Sequence, residues 1–220
     1  MARAVEQTFL FADVSGFAAL TEAHGDEDAA DLVTTFVGEV RGLLPEGGAQ
    51  LVKVIGDALM VRCENAPDAL RLGVRIVEEV GGRHGFPLVR VGMHTGPAAE
   101  RDGDWFGATV NLAARISGMA AGDEVLLTEA TQKRAGEPDG ITVRERGRRQ
   151  LRNVAEPVLI YKAERDGERS QAGLPIDPVC RMAVDPEGAA GTLRHSGVEY
   201  HFCSLACAQR FAERPDRYAR

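Results

Sequence analysis

The sequence predicts an α+β sandwich over residues 1–166, a mixed and mostly antiparallel sheet covered by helices, followed by a small cysteine-rich module. Three observations carry this. Apolar runs of strand and helix periodicity alternate along the chain. A tight hairpin interrupts that alternation. Three of the four cysteines fall in the last 41 residues.

Residues 7–13 (QTFLFAD) are apolar and aromatic and read as a buried strand ending in Asp13. Ser15-Gly16 opens a helical pattern over 17–24, which Gly25-Asp26 breaks. A second helix runs from about residue 27 to 43, with Leu32, Val33, Phe36, Val37 and Val40 at helical spacing, and Pro45, Gly47 and Gly48 stop it. Residues 50–55 and 58–63 are apolar runs joined by Gly56-Asp57, a hairpin signature. Residues 66–80 form an amphipathic helix entered through Pro67-Asp68, and 88–94 a strand ending at Thr95-Gly96. A helix over 109–120 and strands over 124–127, 141–146 and 158–163 complete the domain. Residues 167–174 are polar and contain glycine, as a linker does, and 175–220 form the second unit.

The net charge of −7 rests wholly on the first 174 residues, because 175–220 hold six Arg against six Asp and Glu. An acidic main domain argues against nucleic-acid binding, which needs a basic face. A polyanionic substrate would have to be met by local cations or by metal ions. No apolar run approaches the ~18 residues of a membrane span, and the first residues show no signal-peptide core. A cytoplasmic protein with reduced thiols is the expectation, and no membrane partner is expected.

Asp13 ends a strand and Asp57 sits in a hairpin turn. If the strand and the hairpin are neighbours, the two carboxylates meet at the sheet edge, where they suit Mg²⁺. Two such ions roughly 4 Å apart can clamp an in-line phosphoryl displacement. Between the acids, Ser15, Gly16 and Phe17 place backbone N–H groups at a helix N-terminus, a natural cradle for phosphate oxygens. Taken singly, aspartates at a strand end or in a turn also have ordinary structural uses.

Several segments change the weight of that reading: FADVSGF (11–17), KVIGD (53–57), GMHTG (92–96), DWFGATVNLAAR (104–115) and LRNVAEPVLIY (151–161). In sequence, order and spacing they resemble the signature segments of class III adenylate and guanylate cyclases, over about residues 7–163. The resemblance implies a ferredoxin-like cyclase sandwich. It implies that Asp13 and Asp57 hold two Mg²⁺ (or Mn²⁺) ions, that Asn111 orients the ribose, and that Arg115 stabilises charge on the α-phosphate. Lys53 and Asp104 match the residues that read the purine, and Arg152 stands where the family has a phosphate-binding lysine, although its segment also reads as a solvated basic turn. Lys53 can donate to adenine N1 and Asp104 can accept from N6, whereas guanine presents the opposite pattern. GTP-using members typically carry Glu and Cys there, so ATP is the implied substrate. In this family the site lies between two cyclase domains; a chain with both residue sets implies a head-to-tail homodimer. His94 reads as structural, and Cys63 as a buried core thiol.

The tail (DPVCRMAV, then YHFCSLAC, then Phe211, Pro215 and Tyr218) resembles a YHS domain, related to TRASH-type metal modules. Cys180, Cys203 and Cys207 would be its thiolate ligands for Zn²⁺, Cu(I) or another soft metal, with Cys203 and Cys207 at the entry to a helix. His201, His195 or water could supply the fourth ligand. The implied activity is an adenylate cyclase modulated by metal occupancy of the tail. A cyclase-like nucleotide-binding dimer with low activity, acting as a metal sensor or trafficking regulator, remains the alternative.

Overall fold

A computed structural model describes residues 5–44, 48–167 and 173–219. The helix stop assigned to Pro45 and Gly47 and most of the 167–174 linker lie outside these residues.

The first domain comprises β1 (Val5–Val14), α1 (Phe17–His24), α2 (Asp26–Leu43), β2 (Ala49–Ile55), β3 (Ala58–Cys63), α3 (Ala66–Arg75), β4 (Val89–Arg101), β5 (Asp104–Phe106), α4 (Ala108–Met119), β6 (Val125–Thr128), α5 (Glu129–Ala135), β7 (Ile141–Arg149) and β8 (Val158–Arg165). The tail contributes β9 (Gly191–His195), β10 (Val198–Phe202), α6 (Leu205–Glu213) and α7 (Pro215–Tyr218). One sheet runs β2-β3-β1-β4-β6-β8-β7, with β5 paired to β4. β4 and β6 run parallel and the other neighbours antiparallel. This is the mixed α+β sandwich that the sequence predicts.

β1 is central because both of its faces are apolar. Leu10, Ala12 and Val14 pack in one cluster with Leu32, Phe36 and Val40 of α2 and Leu70 and Val74 of α3. Phe9 and Phe11 pack in another with Trp105 and with Val110 and Ala113 of α4. Strand parity therefore sends Asp13 to the α4 side. Two glycines let α4 approach. A Cβ on Gly92 would lie 1.9 Å from the Ser117 backbone nitrogen, and one on Gly96 2.8 Å from Thr109 Oγ1. They admit the helix that carries Asn111 and Arg115.

That close approach explains one departure from the sequence reading. Gly96 suggests a strand end, yet β4 continues to Arg101, pairing Pro97 and Ala98 with β1 and Ala99 to Arg101 with β5. Two further departures are local. The helix entered at residue 66 gives way to a π-helical turn over Ile76–Val80. β7 extends to Arg149 through a bulge between Glu145 and Gly147, so Arg146, Arg148 and Arg149 lie in a strand. α5, seven residues capped by Thr128, is too short to announce itself by periodicity.

His94 and Cys63 are structural, as expected. Cys63 is fully buried, and burial pushes its thiol up to about 12. His94 Nδ1 lies 2.7 Å from Thr128 Oγ1, and burial lowers its pKa from 6.5 to about 4. Folding thus favours the neutral ring. Its stabilising contribution is full above pH 6.5 and is lost as pH falls toward 4, by about 3 kcal/mol in total. Denaturant titrations over that range are expected to show a steeper acid loss of stability in the wild type than in His94→Gln.

Candidate active site

The β1–β3 register sets Asp13 opposite Ala58, which brings the preceding residue, Asp57, beside it. Gly56 makes the turn with φ 62°, a conformation that suits glycine. The two carboxyl groups are in hydrogen-bond contact. Asp57 is pushed up from 3.8 to about 6, first by burial and then by its bond to Asp13 and that group's charge. Arg90, opposite Asp13 on β4, donates to Asp13 Oδ2 through Nε at 2.7 Å and through Nη2. The sequence reading missed Arg90; its signal was a lone cation inside the apolar run 88–94. Two crowded acids against one guanidinium leave an excess of oxygen ligands and negative charge. That donor set fits divalent hard cations.

The cradle follows directly. Gly16, at φ 80° and ψ 20°, caps the N-terminus of α1, and Ser15 N–H donates to Leu88 O at 2.8 Å. The first turn of α1 carries no acidic residue, so no side-chain charge in that turn repels an anion. Phe17 is half-buried against the core.

Lys53 Nζ lies 2.8 and 2.6 Å from the two Asp104 carboxylate oxygens. The Trp105 N–H also donates to Asp104 at 2.8 Å, and the Lys53 ammonium stands 5.6 Å from the Phe106 ring centroid. The bond from Lys53, followed by that from Trp105, holds Asp104 below its usual carboxylate range. Asn111 and Arg115 lie one turn apart on α4, the first exposed and the second half-buried. Arg152 is exposed in the turn after β7. None of these three makes a side-chain hydrogen bond or ion pair among the described residues. The chain thus joins Asp13 with Asp57, Lys53 with Asp104, and Asn111 with Arg115 on one helix. No side-chain bond links these groups to one another among the described residues.

In the tail, Cys180 Sγ lies 3.3 Å from Cys203 Sγ, and Cys203 Sγ 3.8 Å from Cys207 Sγ. These distances are far beyond a disulfide's ~2.05 Å, and all three are free thiols. Cys207 lies in the first turn of α6; Cys203 stands just before its Ser204 cap. Hydrogen bonds from Cys180 and then Cys203 lower the Cys207 pKa, while the bonds to Cys203 and Cys207 push Cys180 up. Asp177 is fully buried and ties the segments together: Oδ1 accepts from Val179 N–H at 2.8 Å and Oδ2 from Cys203 N–H at 2.9 Å. Neither histidine named from the sequence faces the thiols. His201 lies beside Glu199 and Thr192, and His195 stacks edge-on against Phe211. The imidazole in the group is that of His24, at the end of α1.

Residues 1–162 match the family described as the adenylate and guanylate cyclase catalytic domain. The chain belongs to that cyclase family. Residues 176–220 match the YHS domain. Over 169 residues it is 33% identical to the pH-sensitive adenylate cyclase MT1302 of Mycobacterium tuberculosis, covering 76% of this chain and 42% of that one. It spans less than half the length of the curated relatives it matches first. Its fold is similar to the adenylyl cyclase CyaB of P. aeruginosa, at TM-score 0.63 and 23% identity, covering 76% of this chain and 97% of that one. It is also similar to the guanylate cyclase domain of RhGC from Catenaria anguillulae, solved with GTP, at TM-score 0.65 and 16% identity, covering 75% and 99%. Among the described residues, no helix is long and apolar enough to cross a membrane.

Proposed function

We propose that this cyclase converts ATP to 3′,5′-cyclic AMP and pyrophosphate at sites shared by two copies in a head-to-tail homodimer. The observation that carries the base preference is the Lys53–Asp104 pair, a donor and an acceptor held 2.6 Å apart. Opening this pair onto adenine gives Lys53 an acceptor at N1 and Asp104 a donor at N6. Guanine would leave both groups facing their own kind, which is costly in a desolvated site. The relative from M. tuberculosis is named an adenylate cyclase.

The dimer rests on two features. Among the described residues no hydrogen bond or ion pair links the purine pair to the carboxylate pair within one chain, although one nucleotide needs both. Beside Lys53 and Asp104, Val54, Ile55 and Phe106 are 42%, 50% and 51% exposed on and near the edge strand β2. A second copy would cover that apolar surface.

In the reaction, the ribose 3′-oxygen bonds to the α-phosphorus as the bond to pyrophosphate breaks, and the 3′-hydroxyl proton leaves to solvent. Asp13 and Asp57 of one copy would hold two Mg²⁺ or Mn²⁺ ions, whose charge lowers the 3′-hydroxyl pKa and neutralises the leaving group. The peptide N–H groups after Gly16 receive phosphate oxygens. From the other copy, Asn111 fixes the ribose, and Arg115 sets a planar guanidinium against charge growing on the α-phosphate. Arg152 supplies a further cation for the phosphates. Incubation of the purified chain with Mg²⁺ or Mn²⁺ and ATP is expected to yield cyclic AMP and pyrophosphate in equal amounts, with GTP a poor substrate. Absence of cyclic product, or preference for GTP, contradicts the reading.

A further inference from the structure

We infer that His24 of the cyclase domain and Cys180, Cys203 and Cys207 of the tail form a single four-ligand Zn²⁺ site that fastens the two domains together. The four donor atoms all lie within 4.8 Å of one another. His24 Nε2 is 3.5 Å from Cys203 Sγ and 3.8 Å from Cys207 Sγ. A tetrahedron with zinc–sulfur bonds of about 2.3 Å and zinc–nitrogen bonds of about 2.0 Å has edges of roughly 3.5–3.8 Å. Four of the six edges, at 3.3 to 3.8 Å, need only small shifts to meet those values, and the other two are no longer than 4.8 Å. Three thiolates and one imidazole form a closed donor set for borderline-soft Zn²⁺. Buried Asp177 already sets the Cys180 and Cys203 segments in register through their backbone N–H groups, so few atoms remain to be ordered.

The ligand comes from a helix that the tail contacts near both ends. Arg210 donates to Glu22 O at 2.7 Å, and Arg217 reaches the Glu22 carboxylate at 3.0 Å. At the other end, the Arg181 stem covers Gly16 so closely that a Cβ there would lie 2.6 Å from Arg181 Cγ. A second seam joins Ala183 to Gly85 and Phe86 by backbone hydrogen bonds of 2.9 and 3.1 Å. α1 is eight residues long, about 12 Å. One short rod therefore has the phosphate cradle at its start and a zinc ligand at its end. Zinc occupancy and cradle position become linked through α1. This last link rests on the proposed role of residues 13–17; the metal site does not.

The full chain, stripped of metal and kept reduced, is titrated with Zn²⁺ against a chromophoric chelator, and with Co²⁺ while its visible spectrum is recorded. The wild type is expected to bind one Zn²⁺ and to give the strong bands of tetrahedral Co²⁺ with thiolate and imidazole ligands. Removing one of four ligands in His24→Ala is expected to weaken Zn²⁺ binding at least about tenfold and to change the Co²⁺ spectrum. His24→Gln, which keeps the size of the side chain, is expected to do the same. His195→Ala and His201→Ala are expected to change neither. Chelation is expected to raise hydrogen exchange in residues 17–24 of the wild type and not of His24→Ala. Unchanged affinity and spectrum in both His24 variants, a loss that follows His201 instead, or a wild type that binds no Zn²⁺ overturns the inference. None of these readouts uses cyclic-nucleotide formation, so a failure of the proposed reaction leaves the test intact.

Discussion

Replacing Asp57 with alanine is expected to lower cyclic AMP formation by about 10³-fold, roughly 4 kcal/mol at the barrier, while the protein stays folded. The reasons lie in the same carboxylate pair. Asp57 and Asp13 touch at the edge of the sheet, and burial and mutual repulsion lift Asp57 to about 6. That arrangement gains stability only when positive charge is brought to it. Without Asp57, Asp13 is left with Arg90, an ion pair that already satisfies one of its oxygens and gives no reason to gather cations. In metal-free buffer the same substitution removes a repulsion, so the melting temperature is expected to hold or rise. Loss of activity with intact or higher stability would separate a metal-binding role from a structural one. Arg115→Ala is expected to cost about 10²–10³ in kcat with little change in KM, since a group that meets charge present only at the transition state contributes there alone.

The second large effect concerns the purine. Exchanging both members of the pair, Lys53→Glu with Asp104→Cys, is expected to move the ATP-to-GTP ratio of kcat/KM by about 10²-fold or more toward GTP. Each base edge then meets a reversed donor and acceptor pattern. The single exchanges are expected to be poorer with both nucleotides than the double. Lys53→Glu alone sets a carboxylate against Asp104, and Asp104→Cys alone removes the partner that now holds the Lys53 ammonium at 2.6 Å. The effects are therefore non-additive, as for any two groups in direct contact. Initial rates for four proteins with two nucleotides measure this. Equal ratios across all four would assign base choice elsewhere.

What the sequence disclosed, and what it hid, follows from the range of each interaction. Strand and helix periodicity is local, so β1, α1, the β2–β3 hairpin and α4 are legible from the residues within them. The sequence offered the pairing of Asp13 with Asp57 only on the condition that strand and hairpin are neighbours, and the β1–β3 register meets that condition. Glycines misled where packing decides: Gly96 reads as punctuation, yet it is small because Thr109 crosses it. Arg90 and His24 were not foreseen. Their partners lie 77 and 179 residues away, and no periodicity reports such a distance. His201, one of the two histidines named as a possible ligand, stands two residues from Cys203 in sequence. β10 instead sets it opposite Thr192, its cross-strand neighbour, 3.4 Å away. Neighbourhood in sequence was a poor guide to neighbourhood around the thiols.

Mixing two dead chains tests the shared site most directly. Asp57→Ala keeps the residues proposed to read base and α-phosphate, and Arg115→Ala keeps the acids. In a head-to-tail dimer of one of each, one seam inherits both defects and the other inherits neither. Equal amounts exchanged to equilibrium are expected to recover about one quarter of wild-type cyclic AMP formation per chain, since half the dimers are mixed and each carries one sound site of two. A mixture as inactive as its two components, under conditions where subunit exchange is demonstrated, would contradict the account.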